Sequence, residues 1–410
     1  MNRRLALLAI IWTAACSDHA TPLDLSNNPG TVVFRFIDAG GYHTCGITTA
    51  ETLLCWGYGG DGQLGVSSTA PEALPTPVPG DTRFRTVSGG RFHSCGLTLA
   101  GTAYCWGNNG DGRLGNGGTM VISPTPTPVL IDSLPVSIAF QSIQAGRIHS
   151  CAIDLGQTAW CWGYNGEGEL GVGVFAPSSF AKFAVVAQTG APIKAISVGG
   201  LHTCAITVAG AGLCWGYNAS GQLGDGTANT TGTPQLVGGG LTFLTSPLVV
   251  FPSPDPNFPL PPGPFLAGGY QHTCAIATNG NTYCWGLNQD GQLGDGTRIT
   301  RGIPAPVNGP PLVTITAGQR HTCGLTSAGL AYCWGDNSLG QLGDGTTTSQ
   351  TAPTAVVGGL SFAYINAGDL STCGITSTGV AYCWGDNEFN QLGDGTTLGS
   401  AAPVKVAFQP

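Results

Sequence analysis

From residue 31 to the C-terminus, short apolar runs alternate with small polar clusters, and no window holds a helical period. Phe362-Ala-Tyr-Ile-Asn-Ala367, Ala352-Pro-Thr-Ala-Val-Val357 and the two halves of Cys323-Gly-Leu-Thr-Ser-Ala-Gly-Leu-Ala-Tyr-Cys333 are all of strand length. Clusters of Gly, Asn, Asp, Ser and Thr bound them, the composition of tight turns between strands. The pattern predicts an all-β chain in which four short strands recur within about fifty residues, the size of a propeller blade.

The recurrence has fixed landmarks. Cys-Trp occurs seven times, at Cys55, Cys105, Cys161, Cys214, Cys284, Cys333 and Cys383, each followed two residues later by Gly. Ten residues before each stands a partner: Cys45, Cys95, Cys151, Cys204, Cys274, Cys323 and Cys373. With a hairpin turn midway, the two cysteines of a pair face each other across antiparallel strands, within disulfide range. The same register sets Gly or Ala (Gly46, Gly96, Ala152, Ala205, Ala275, Gly324, Gly374) opposite a larger residue (Leu54, Tyr104, Trp160, Leu213, Tyr283, Tyr332, Tyr382). Zinc sites bring cysteines two to four residues apart in groups of four, so the uniform spacing favours seven disulfides.

One unit reads Ala-Gly-x-x-His-Thr-Cys-Gly-Leu-Thr, then Tyr-Cys-Trp-Gly-x-Asn-x-x-Gly-Gln-Leu-Gly-Asp-Gly-Thr, as at 317–346. This resembles the regulator of chromosome condensation repeat over all seven units, about residues 31–410. The resemblance implies a seven-bladed β-propeller with blades of four antiparallel strands. That family contains guanine-nucleotide exchange factors and exported bacterial propellers that inhibit β-lactamases. The first unit lacks the Pro-x-x-Val segment that precedes later ones, and Pro403-Val-Lys-Val406 is a surplus copy. The expectation is that the C-terminal strand completes the first blade.

The N-terminus changes the picture of location. Arg3 and Arg4 precede the short apolar run Leu5–Trp12 and then Thr13-Ala-Ala-Cys16, the layout of an export signal. The box resembles that of a bacterial lipoprotein, with Cys16 as the lipidated residue, although Thr13 stands where Leu is common. The alternative is an ordinary signal peptide cut nearby. The domain reading is a signal segment at 1–16, a polar tether at 17–30 and a propeller at 31–410. No Asp follows Cys16 directly, so the expected location is the outer membrane, facing the periplasm or the cell surface, with the chain monomeric. A net charge of −8 argues against a nucleic-acid partner.

Candidate chemistry is sparse. His43, His93, His149, His202, His272 and His321 each lie two residues before a cysteine, and Ser371 takes that place in the seventh unit. Equivalent positions on different blades diverge, so these histidines read as hydrogen-bonding groups that tie backbone together rather than as one metal site. The Asp-Gly pairs at Asp225, Asp295, Asp344 and Asp394 lack the spaced carboxylates of a calcium loop and read as turns. No nucleophile elbow, phosphate loop or zinc-protease helix is present, although carboxylates such as Glu167 and Glu169 exist. A proline-rich stretch at about 241–264 reads as a surface insertion. No catalytic residue, metal or cofactor is assigned.

The most variable slot is the dipeptide before each His: Gly41-Tyr42, Arg91-Phe92, Arg147-Ile148, Gly200-Leu201, Tyr270-Gln271, Gln319-Arg320 and Asp369-Leu370. If it opens the inner strand of every blade, Tyr42, Arg91, Phe92, Arg147, Tyr270 and Arg320 ring the channel mouth. Tyr and Arg are favoured at interface hot spots. The expected function is therefore a binding scaffold for a protein or glycan partner. Exchange-factor activity is the alternative, with a propeller lyase or hydrolase a third reading.

Overall fold

The computed structural model describes residues 32–118, 120–131, 138–177, 179–253 and 264–409. The leader at 1–16 with Cys16, the tether at 17–30, and 254–263 of the proline-rich stretch lie outside them. The described residues form seven four-stranded antiparallel sheets set in a ring, and no helix. The first blade uses Phe34–Ala39, His43–Thr48, Leu53–Gly57 and Glu72–Pro77 in that order, and the other six repeat it.

Pairing follows the spacing of the cysteines. Cys45 stands opposite Cys55 and Gly46 opposite Leu54, and the sixth blade sets Cys323 opposite Cys333 and Gly324 opposite Tyr332. The seven Sγ pairs lie 2.04–2.14 Å apart, with Cα separations of 4.1 Å. Each bond closes a loop of the same short length, which stabilises the blade by about 2–3 kcal/mol on a chain-entropy argument. The small residue after the first cysteine has a second reason to be small. A Cβ on Gly46 would lie 2.6 Å from the ring of Phe34, which occupies that space.

The seams between blades carry a repeated clamp. Trp106 is buried, and its Nε1–H donates to the Gln63 carbonyl of the preceding blade at 2.9 Å. Ser94 donates to the same carbonyl at 2.8 Å and receives His43 Nε2–H at 2.7 Å. Because the hydroxyl proton is committed to the carbonyl, the histidine must be the donor, which fixes its tautomer. The remaining five seams of this type join His93–Ser150, His149–Thr203, His202–Thr273, His272–Thr322 and His321–Thr372 at 2.7–3.0 Å. The histidines thus bond to a neighbouring blade's side chain, not to backbone within their own blade. Burial drives His43, His149 and His272 down to about 3, and His202 and His321 to about 4, so they stay neutral. A glycine completes the clamp: a Cβ on Gly65 would lie 2.8 Å from Trp106 Nε1.

Two expectations are corrected. Ser400–Lys405 pairs with Ala381–Gly385, so the C-terminal strand is the outer strand of the seventh blade and does not complete the first. The Pro-x-x-Val segment ends the outer strand of its own blade, as Pro75–Val78 does in the first, so the last copy is not surplus. Lateral contacts close the ring instead. Phe34 N–H donates to Gly379 O at 2.9 Å, Trp56 Nε1–H to Gln391 O at 3.0 Å, and Ala39 N–H to Asn366 Oδ1 at 2.8 Å.

The second correction concerns the axis. The channel is lined by strands of the Phe34–Ala39 type, and the His-Thr-Cys strand lies second. The variable dipeptide is therefore the connection leaving the inner strand. It still falls at one mouth, because all seven inner strands run the same way. The proline-rich stretch also has a defined root. Phe243 bonds to Gly210 O and faces Ala277, matching Phe34 in the first blade, while Leu266 pairs with Ala275 as Ile37 pairs with Gly46. The insertion thus leaves from within the inner strand of the fifth blade, at the opposite mouth.

Candidate functional site

The inner strands present their edges to a channel of about 770 Å³. A side-chain belt joins them. Asp38 accepts Gly89 N–H at 2.8 Å, Ser88 accepts Ala145 N–H at 3.0 Å, Ser197 accepts Gly268 N–H at 2.9 Å, and Thr316 accepts Ala367 N–H at 3.0 Å. Burial pushes Asp38 up to about 8 against the opposing effect of its bond from Gly89, so the carboxyl is mostly neutral at pH 7. Sequence reading missed this belt, because the slot holds Asp38, Ser88, Gln144, Ser197, Ala267, Thr316 and Asn366 and looks unconstrained until the acceptor role that five of them share is seen.

At the mouth where the inner strands end, the variable slots form one cluster, one pair and one separate residue. Tyr42 and Phe92 lie 5.9 Å apart between ring centroids. Arg91 lies over both, 5.2 Å from the Tyr42 ring and 5.3 Å from the Phe92 ring, and donates to Tyr42 Oη at 2.6 Å. Tyr58 and Phe389 extend the cluster. Phe389 packs edge-on against Tyr42 at 5.4 Å and against Tyr58 at 5.2 Å. All four residues are half-buried. Arg147 lies 4.8 Å over the ring of Tyr270. Arg320 is exposed and pairs with Asp290 at 3.4 Å.

Glycines in the slot make the long reaches possible. Arg147 belongs to the third blade and Tyr270 to the fifth. The fourth blade has Gly200 between them, where a Cβ would lie 2.3 Å from the Tyr270 ring. Likewise Arg91 of the second blade reaches Asp369 of the seventh at 3.6 Å, across Gly41 of the first. Burial raises Asp369, and Arg91 and Arg147 pull it back. The expected ring is thus a set of cross-blade pairs that lean over the channel, flanked by an aromatic cluster.

Tyr58, Phe389 and Asp369 belong to the site and were not singled out from sequence. Tyr58 follows Cys-Trp-Gly, where other blades have Asn108, Tyr164, Tyr217, Leu287, Asp336 and Asp386. Phe389 lies two residues before Gln391, where others have Asp61, Asp111, Glu167, Ser220, Asp290 and Leu339. The variability that marked the first slot was therefore present at these two as well. Glu169, by contrast, is buried. Its Oε2 accepts Glu167 N–H at 2.9 Å, the role Gln63 plays for Asp61, and burial raises its carboxyl to about 8. It takes the structural place of a glutamine and not that of a catalytic acid. Among the described residues, no three His, Cys, Asp or Glu side chains gather as a metal site, and no helix is long and apolar enough to cross a membrane.

Seven four-stranded blades around a channel, with variable loops at one mouth, define a β-propeller. The chain belongs to the Regulator of chromosome condensation (RCC1) repeat family, matching it over residues 51–97, 100–153, 279–325, 328–375 and 378–410. A second description of the same repeat covers 34–63, 84–113, 193–222, 312–341 and 362–391. It is similar to the probable E3 ubiquitin-protein ligase HERC4 of Rattus norvegicus, 29% identical over 157 residues, which are 38% of this chain and 13% of that protein. The chain thus spans only a small part of that relative's length. Among solved structures, human WBSCR16 superposes with a TM-score of 0.74 at 21% identity, covering 87% of this chain and 94% of that one. Prp20p of Saccharomyces cerevisiae superposes with a TM-score of 0.71 at 20% identity, covering 91% and 87%. At these identities the likeness shows the fold.

Proposed function

We propose that this chain is an exported binding scaffold, held to the outer membrane through Cys16, that grips a protein partner through the mouth carrying Tyr42, Arg91 and Phe92. The observation that carries the reading is the cluster of Tyr42, Tyr58, Phe92 and Phe389 with Arg91 over two of its rings. Such groups supply large rigid contact area at small entropic cost, and Arg and aromatic residues dominate interface hot spots. The solved Prp20p structure is described together with binding to Gsp1p and histones, so a propeller of this fold can take protein partners. Seven cysteine pairs within disulfide geometry support an oxidising compartment, and the leader ending at Cys16 supports lipid anchoring.

Exchange-factor activity is the second reading, resting on family membership. It requires a cytoplasmic GTPase within reach, which export removes. Fractionation separates the two: the first predicts release from envelope membranes on Cys16→Ser, the second a cytoplasmic wild type. For the binding face, a partner captured from the native envelope should bind Phe92→Ala and Phe389→Ala at least about tenfold more weakly, with unfolding midpoints unchanged. Unaltered binding by both variants, and by Tyr58→Ala, overturns the assignment of this face.

A further inference from the structure

The opposite mouth carries chemistry of its own. Among the described residues, five lysines and arginines line the channel (Arg35, Arg85, Arg91, Arg147 and Lys194), and two acidic residues, Asp38 and Asp369, do. This concentration occurs in a chain of net charge −8. Arg91 and Arg147 are engaged at the partner-facing mouth with Asp369 and Tyr270. Arg35, Arg85 and Lys194 start the inner strands of blades one, two and four, about 20 Å away along six residues of extended chain.

The two arginines are held in place. Arg35 Nη2 donates to Phe84 O at 2.8 Å, and Arg85 Nη2 donates to Phe140 O at 2.7 Å and Gln141 O at 3.0 Å. Each bond runs to the next blade, so these guanidinium groups stand preorganised where the strands begin. The acceptors of Arg85 are neutral, and neither Arg85 nor Lys194 has a carboxylate within ion-pair distance among the described residues. Asp38, three residues further in than Arg35, is mostly neutral at pH 7 and offsets little of the charge. Low-dielectric walls lined by one sign of charge focus the field and gather counter-ions. The volume of about 770 Å³ lies within the range of small-molecule sites. Thr245 and Ser246, at the root of the insertion, add hydroxyls to the same wall.

We infer that this mouth binds a small organic anion with at least two carboxylate or phosphate groups, held by Arg85 and Lys194, on the side of the propeller away from the proposed partner face. The site stands independently of that face.

The test is titration calorimetry on the full chain with citrate and with inorganic pyrophosphate as probes, which separates carboxylate from phosphate recognition. Saturable binding of one anion per chain is expected for at least one probe, with Kd below ~1 mM at low salt. Lys194→Glu should weaken it at least about tenfold, as should about 0.2 M salt. Lys194 is exposed, and Lys194→Ala, expected to lose at least about threefold, repeats the test without reversing the charge. Lys182→Glu, on an outer strand, should leave binding unchanged. Absence of saturable binding by both probes, or equal weakening by Lys182→Glu and Lys194→Glu, overturns the inference.

Discussion

Glu169→Gln offers the sharpest test of how this repeat is built. Five of the other six blades carry Gln at the slot: Gln63, Gln222, Gln292, Gln341 and Gln391. Each accepts a backbone N–H two residues earlier through Oε1, as Glu169 does through Oε2. The other carboxylate oxygen of Glu169 is buried without a hydrogen-bond partner. So is the amide nitrogen of Gln63, Gln222 and Gln292. The substitution therefore exchanges one unpartnered atom for another and keeps the useful bond. What it removes is a titrating carboxyl that burial has raised from 4.5 to about 8.

The sign follows from linkage. Above pH 4.5 the unfolded carboxyl is ionised, while the folded one stays protonated until about 8. Glu169 thus costs nothing in acid and progressively destabilises the native state as pH rises, by about 1.4 kcal/mol per pH unit across that window. The penalty amounts to about 1 kcal/mol at pH 5 and about 4 kcal/mol at pH 8. Denaturant unfolding of wild type and Glu169→Gln, disulfides intact, at those two pH values reads the difference. The variant should be more stable at both, by a margin about 3 kcal/mol larger at pH 8. Asp38 is also raised to about 8, but it is common to both proteins and cancels. Equal margins at the two pH values, or a wild type more stable at pH 8, would refute the reasoning.

Three further outcomes are expected. Gly343→Ala should cost about 3 kcal/mol and Gly345→Ala about 1 kcal/mol by denaturant midpoint; both have positive φ, but only at Gly343 would the new Cβ lie 2.6 Å from a buried Trp384, and equal costs would contradict the clamp. The ring proton resonances of His43 and His272 should not titrate above about pH 5, and the stability these histidines contribute should fall as pH drops below 6.5 toward their folded values of about 3; a titration midpoint near 6.5 would remove the buried seam bond. Ser371→His should raise stability by about 1 kcal/mol by giving Thr44, whose hydroxyl already donates to Gln391 O at 2.8 Å, the donor that the other six seams possess; an unchanged or lowered midpoint would show that this seam cannot house the ring.

The fold was legible because the repeat makes local spacing report cross-strand geometry. Ten residues between Cys45 and Cys55 fix a hairpin register, and that register recurs at every blade. The place of each strand in its blade was not legible. Strand order depends on where a repeat is taken to begin, and a periodic sequence reads the same from any starting point. Starting at Pro-x-x-Val made Pro403–Val406 look like a strand owed to the first blade. Hydrogen bonding to Ala381–Gly385 shows that the unit begins at the inner strand. The site was half legible. Tyr42, Arg91 and Phe92 are neighbours through a slot that recurs in every blade, but Phe389 joins them from a loop of the last blade, 297 residues after Phe92 in the chain, because ring closure sets the seventh blade beside the first. No spacing rule along the chain encodes that adjacency.

The arrangement also explains how one repeat can carry two chemically different mouths. The seam clamp uses Trp, Gly, a hydroxyl and a backbone carbonyl, none of which faces the axis, and it tolerates change elsewhere in the blade. Inner-strand positions can then vary at both ends, because mid-strand a single slot ties the edge facing the channel to the next blade, as Ser88 does to Ala145 and Thr316 to Ala367. At the strand ends the slots vary toward aromatic residues and paired ions, with Gly41 and Gly200 giving neighbours room to reach across. At the strand starts three blades present Arg35, Arg85 and Lys194, while the sixth and seventh have Val313 and Ala363 in the same place. Charge at that mouth is thus confined to one side of the ring, which a purely structural requirement repeated around the axis would not produce.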